Sequence, residues 1–146
     1  LEGGSPAFVE ALDESVVALM IEKKSAVDDL EALLSVPGVD MTQFGPADFS
    51  NSIDRPGEWQ HPEVVEAEKH VIETSLKMGV APRAEINTPA QAEKYLEMGV
   101  KHFCIGTDVS ILFDWFRDTG GAFNELLGRE IPGASGQHGG YGGAGD

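Results

Sequence analysis

Cysteine, basic charge and long apolar runs are all scarce in this sequence, and each shortage closes off a class of protein. Cys104 is the only cysteine among 146 residues. No intrachain disulfide can form, and the chain fits a reducing, cytoplasmic compartment. Ten Lys and Arg stand against 25 Asp and Glu, a formal net charge of −15. Nucleic acids and anionic membrane surfaces are bound through clustered Lys and Arg, so neither is an expected partner. The acidic excess serves solubility. No apolar run approaches the roughly 20 residues that span a bilayer. The first residues lack the basic and apolar regions of a signal peptide. The chain also starts on Leu1 rather than Met, which points to an N-terminus processed or cut from something longer. Neither a dinucleotide-type glycine fingerprint nor a P-loop occurs.

What is present suits a packed domain. Hydrophobic residues make up 41% and charged residues 24%, a balance that favours a core over disorder. Ser5 and Pro6 open a helix through Asp13, with Phe8, Val9 and Leu12 on one face. Residues 16–21 are six apolar residues without alternation, the pattern of a strand covered on both faces. Ser25 caps a helix through Leu34, with Val27, Leu30, Leu33 and Leu34 as its stripe. Residues 39–44 form the second strand. Residues 45–61 are rich in Gly, Pro, Asp, Ser and Asn and read as a 17-residue functional loop. His61-Pro62 opens a helix to Met78, lined by Val64, Ala67, Val71, Ile72 and Leu76, and Gly79 ends it.

Residues 80–86 make the third strand. Thr88-Pro89-Ala90-Gln91 is a capping box for a helix to Met98, and residues 100–106 make the fourth strand, with Cys104 as a buried, inert thiol. Residues 108–117 and 122–127 read as two short aromatic helices, and residues 131–146 as a Gly-rich flexible tail. The order α-βα-βα-βα-βα predicts an α/β fold with a parallel sheet. Four βα units are half of an eight-stranded barrel and also suffice for a small open sheet.

Two acids follow strands: Glu22 closes the first, and Asp48 lies shortly after the second. Parallel folds place their chemistry beyond the carboxyl ends of strands, where two carboxylates suit a hard divalent cation. Strand-end acids also serve as turn caps or stand solvated, and spacing alone does not choose.

The combination Met20-Ile21-Glu22, Val36-Pro37-Gly38-Val39-Asp40, Gly45-Pro46-Ala47-Asp48-Phe49-Ser50, His61-Pro62-Glu63-Val64 and Gly106-Thr107-Asp108 resembles the HpcH/HpaI class II pyruvate aldolases of the citrate-lyase β-subunit superfamily. The resemblance covers residues 16–127. It implies a (β/α)8 TIM barrel, of which residues 1–130 are the C-terminal (β/α)4 half with extra C-terminal helices. It also implies Mg²⁺ or Mn²⁺, with Co²⁺ or Zn²⁺ as substitutes, held by Glu22 and Asp48. The chemistry implied is reversible cleavage of 4-hydroxy-2-oxo acids to pyruvate and an aldehyde. Gly45, Pro46, Ala47 and Asp48 then contact pyruvate.

Two departures stand out. The family often has glutamine where this chain has Met20. The family's catalytic histidine and arginine lie on early barrel strands, before this chain begins, so no catalytic residue is expected here. His61 reads as a cap, His70 lies within a helix, His102 starts a strand and His138 falls in the tail. Arg83, near the rim end of the third strand, is a candidate substrate contact, with Glu85 or Asp108 as its expected partner.

A second chain carrying the N-terminal half is the expected partner, in a homo- or hetero-oligomer with exchanged C-terminal helices. The alternatives are a CoA-thioester lyase of citrate-lyase type and a non-catalytic assembly subunit.

Overall fold

A computed structural model of the chain describes residues 2–129. Its elements in order are α1 (Pro6–Asp13), β1 (Ala18–Ile21), α2 (Lys24–Asp28), α3 (Leu30–Leu34), β2 (Met41–Phe44), α4 (Pro46–Ser52), α5 (Pro62–Met78), β3 (Ala81–Ile86), α6 (Pro89–Glu97), β4 (His102–Ile105) and α7 (Asp108–Leu126). The strands form one sheet in the order β1-β2-β3-β4. β1 runs parallel to β2, and β2 parallel to β3. The described residues divide into two compact units, 2–84 with 93–103 and 85–92 with 104–129.

In the first unit, alternate strand residues point to opposite faces of the sheet. One face meets helices. Ile21 and Phe44 pack with Leu30 and Leu34 of α3, Phe49 of α4 and Val64, Ala67 and Val71 of α5. Removing this apolar surface from water is the main favourable term in the fold, about 1.5–3 kcal/mol for each large side chain. Thr42 and Ser75 are fully buried on the same side, with their hydroxyls 2.8 Å apart. Ser75 gives its one hydrogen to the Val71 carbonyl at 2.7 Å, so Thr42 is the donor between them.

The other face carries two rows set by the strand register: Ala18–Met41–Ala81 and Met20–Gln43–Arg83. Ala18 and Met20 are exposed, and Arg83 donates through Nε to Gln43 Oε1. Below the first row the register is clamped. Val17 N–H donates to Asp40 Oδ2 at 2.8 Å, and the backbone N–H groups of Asp40 and Met41 both donate to the Val17 carbonyl at 3.0 Å.

Helix ends follow local chemistry. Ser5 Oγ accepts from Phe8 N–H, and His61 Nδ1 accepts from Glu63 N–H, as their positions predict. Gly79 takes φ 78°, the left-handed cap that ends α5 at little steric cost.

The second unit is built around α7, a 19-residue helix with no buried residue. Thr107 accepts from Ser110 N–H at its start. The Gln91 side chain accepts from Asn87 N–H at 2.7 Å and Thr88 N–H at 3.1 Å, which is the glutamine side of the expected box.

Several expectations need correction. The first strand is Ala18–Ile21 rather than 16–21, and it is covered on one face only. Val16 is 67% exposed, and the Val17 N–H is taken by a side chain instead of the ladder. The helix expected over 25–34 is two short ones. Ser25 does not cap; Lys23 holds the N-cap position, and Asp29 at φ −102°, ψ 20° interrupts the helix. The second and fourth strands are shorter than expected, Met41–Phe44 and His102–Ile105. Leu76 is exposed, so the inner face of α5 is narrower than read.

Residues 45–61 are not all loop, because α4 occupies Pro46–Ser52. Proline stands in its first turn and buried Phe49 anchors it. The two aromatic helices are the single α7, which runs through Gly120 and Gly121. Each glycine costs about 1 kcal/mol against alanine, too little to break a helix supported on both sides. Cys104 is half-buried rather than buried. Residues 131–146 lie outside the described residues.

Candidate functional site

Glu22 is the residue after β1, and Gly45 is the residue after β2. The register pairs Ile21 with Phe44, so Glu22 and Gly45 stand level at the carboxyl rim, joined by a 3.0 Å bond from Gly45 N–H to the Ile21 carbonyl. A Cβ at Gly45 would fall 2.8 Å from Glu22 Cβ, 3.1 Å from Glu22 Oε2 and 3.5 Å from Met20 Cε. At φ −108° Gly45 has ordinary backbone. Its glycine is needed for room, which the Glu22 side chain occupies.

From Gly45 the chain turns into α4. The Phe44 and Phe49 rings are 5.2 Å apart and tilted, and they hold the turn against the core. Phe49 N–H donates to the Gly45 carbonyl at 2.9 Å, and buried Ser50 donates to the Ala47 carbonyl at 2.8 Å. Between these anchors Pro46 and Ala47 are half-buried, and Asp48 is exposed in the first turn. The fold thus brings half-buried Glu22 against the start of the segment that carries Asp48. Among the described residues neither carboxylate has a hydrogen-bond or ion-pair partner. Neighbouring Lys24 is engaged elsewhere: its ammonium lies 2.9 Å from Asp28, and that hydrogen bond raises its pKa above the usual lysine value. No group of three or more His, Cys, Asp or Glu is gathered among the described residues. A groove of about 340 Å³ beside Glu22 is lined by Met20, Lys23, Ser25, Ala26, Asp29 and Leu33.

The other candidates are placed as follows. Arg83 sits half-buried on β3, level with Gln43 and so two residues below Gly45 in the strand register, and its Nε donates to Gln43, a neutral partner across the sheet. The expectation of Glu85 or Asp108 missed Gln43. His61 is a helix cap; His70 Nδ1 lies 3.5 Å from Thr74 Oγ1 within α5; His102 is exposed at the amino end of β4. His138 lies outside the described residues. Sequence reading missed the spatial need for glycine at 45, although the Glu22 and Gly45 motifs were both in view.

Residues 4–114 match the family described as HpcH/HpaI aldolase/citrate lyase. The chain belongs to that family. Its HpcH/HpaI relatives include a 4-hydroxy-2-oxo-heptane-1,7-dioate aldolase of Escherichia coli, 36% identical over 103 residues, which are 70% of this chain and 39% of that protein. The HpcH/HpaI aldolase of Desulfitobacterium hafniense DCB-2 superposes with TM-score 0.71 at 27% identity, over 89% of this chain and 49% of that one. The citrate synthase SbnG superposes with TM-score 0.72 at 25% identity, over 83% of this chain and 49% of that one. The chain therefore spans less than half the length of these HpcH/HpaI relatives. Among the described residues no helix is long and apolar enough to cross a membrane.

Proposed function

We propose that this chain supplies the metal and pyruvate site of a cytoplasmic aldolase that reversibly cleaves 4-hydroxy-2-oxo acids to pyruvate and an aldehyde. The observation that carries the reading is the Glu22 carboxylate, partnerless among the described residues and fitted against Gly45 at the head of the segment bearing Asp48. Two carboxylates are a hard oxygen donor set, which fits Mg²⁺ or Mn²⁺. Glu22 and Asp48 would hold the ion, with water and substrate oxygens completing its shell. When bound, such an ion draws electron density from the 2-oxo group and so stabilises the negative charge that C–C cleavage leaves on pyruvate.

The chain's own residues do the positioning. Ala47 and Asp48 stand in the first turn of α4, where backbone N–H groups have no helical acceptor, and these we assign to the pyruvate carboxylate. Gly45 and Pro46 shape the approach. Arg83 is the side chain suited to a second anionic group of the substrate. The acid–base histidine and arginine belong on a second chain or segment that completes a (β/α)8 barrel with this half. In that assembly α7, whose apolar side chains are exposed, packs on a neighbouring protomer.

The test is Glu22→Gln in the complete enzyme, with Mn²⁺ affinity and aldol cleavage as readouts and circular dichroism as the fold control. Metal-dependent turnover should vanish while the fold persists. Wild-type Mn²⁺ affinity and turnover would overturn the reading.

A second reading, a CoA-thioester lyase, draws on the family's citrate-lyase branch and the likeness to a citrate synthase. The absence of a basic cluster for CoA phosphates in the sequence weighs against it. A non-catalytic assembly subunit would take up neither Mn²⁺ nor pyruvate in the same titration.

A further inference from the structure

Glu22 and Asp48 leave the sheet on different strands, so some contact must fix the spacing between the two segments that carry them. Ser52 supplies one. Its Oγ accepts from Lys24 N–H at 3.0 Å and donates to the Phe49 carbonyl at 2.8 Å. The directions are forced: a backbone N–H only donates, a carbonyl only accepts, and a serine hydroxyl has one hydrogen to give. Lys24 lies two residues beyond Glu22, and Phe49 is the residue after Asp48. Lys24 also opens α2, whose own N-cap residue, Lys23, offers no side-chain cap. The cap comes instead from the far end of α4.

We infer that Ser52 is a positioning residue that sets the separation of Glu22 and Asp48 and thereby the affinity of the pair for a divalent cation. The inference rests on the metal-site reading above. Ser52 touches neither carboxylate in the hydrogen bonds it makes. The neighbouring tie from Gly45 N–H to the Ile21 carbonyl is backbone to backbone and survives any side-chain exchange. The Lys24–Asp28 contact stays within α2 and links nothing across the rim. Changing Ser52 therefore removes this side-chain link alone.

The experiment is a Mn²⁺ titration of the complete enzyme, reading free Mn²⁺ by electron paramagnetic resonance, with exchange of the Lys24 amide followed in parallel. Ser52→Ala should speed that exchange and weaken Mn²⁺ binding about ten-fold, the scale of groups that orient metal ligands without touching the ion. Ser52→Thr, which keeps the hydroxyl, should restore both. Ser52→Cys, a weaker acceptor of similar size, should fall between and serves if the alanine variant folds poorly. Faster Lys24 exchange or a lower thermal midpoint with wild-type Mn²⁺ affinity would overturn the inference, leaving Ser52 as a helix cap only. A Glu22→Gln arm separates the two levels. If that variant keeps wild-type Mn²⁺ affinity, the metal-site reading itself falls, and the role of Ser52 falls with it.

Discussion

Met20 and Ile21 are neighbours in sequence and opposites in circumstance. Ile21 is 1% exposed among the side chains of α3, α4 and α5, whereas Met20 is 47% exposed on the far side of the sheet. The same split runs along β2, where Thr42 and Phe44 meet α5 and α4 while Gln43 bonds sideways to Arg83. One face gathers apolar side chains and a fully satisfied hydroxyl pair, which is what stability requires. The other carries polar and open positions that lead up to Glu22 and Gly45 at the rim. The strand period of two lets one short segment serve both ends.

The largest expected effect breaks that comparison most directly. Ile21→Ala should cost about 2–5 kcal/mol in urea unfolding of the complete protein, the range for a large aliphatic core residue. Met20→Ala should cost less than about 1 kcal/mol in this chain alone, where Met20 is 47% exposed and little of its surface is withdrawn from water. In the complete protein the two losses should draw together, because the proposed barrel buries that face; a Met20 loss that stays small there would count against the closed barrel. Gly45→Ala comes next, because it tests where the two faces meet. The added methyl must displace Glu22 at its Cβ, so Mn²⁺ affinity should fall about ten-fold with only a small shift in the urea midpoint. Unchanged affinity would place Glu22 outside the metal site.

Thr42→Val should cost about 1 kcal/mol, since the shape is kept and one neutral hydrogen bond is lost while Ser75 still donates to Val71. The smallest effect lies off both faces. Arg117 meets Asp114 at 2.7 Å and Asp118 at 2.8 Å on exposed α7, and its hydrogen bond holds the Asp118 carboxyl below the usual aspartate range. Any stabilisation from a lowered carboxyl is present above its unfolded pKa and is lost as pH falls through the folded one. Solvent screening leaves little of it, so Arg117→Ala should not measurably shift the thermal midpoint at neutral pH.

The alternation of strands and helices was legible because it rests on local patterns: the Ser5 and His61 caps, the Gly79 stop and the apolar face of α5. What failed was also local. The segment Pro46–Ser52 has the composition of a loop, and only Pro46 and Asp48 in its first turn hint at a helix. Gly120-Gly121 reads as a break but lies inside α7, because flanking residues sustain the hydrogen bonds. The six-residue apolar run at 16–21 suggested burial on both faces, yet side-chain capture of the Val17 N–H shortens the strand. Glu22 and Asp48 were visible as strand-end acids, and the fold sets the first against the segment that bears the second. Contacts that join distant residues were not legible. Arg83 with Gln43, Ser52 with Lys24 and Glu22 with Gly45 depend on which strands lie side by side, and hydrophobic periodicity carries no record of that.

The clamp at the bottom of β1 and β2 gives the site a measure of length. From Val17 to Glu22 is five residues on one strand, and from Asp40 to Gly45 is five on the other, so the two tracks leave the clamp in step and arrive in step. A single residue deleted from either track would leave a strand of the same character. It would also turn every side chain beyond the cut to the opposite face and set Glu22 against Phe44 or Pro46 instead of glycine. What is constrained between clamp and rim is therefore the number of residues as much as their kind. Homologous segments should vary freely in hydrophobic identity there and admit no insertion or deletion at all.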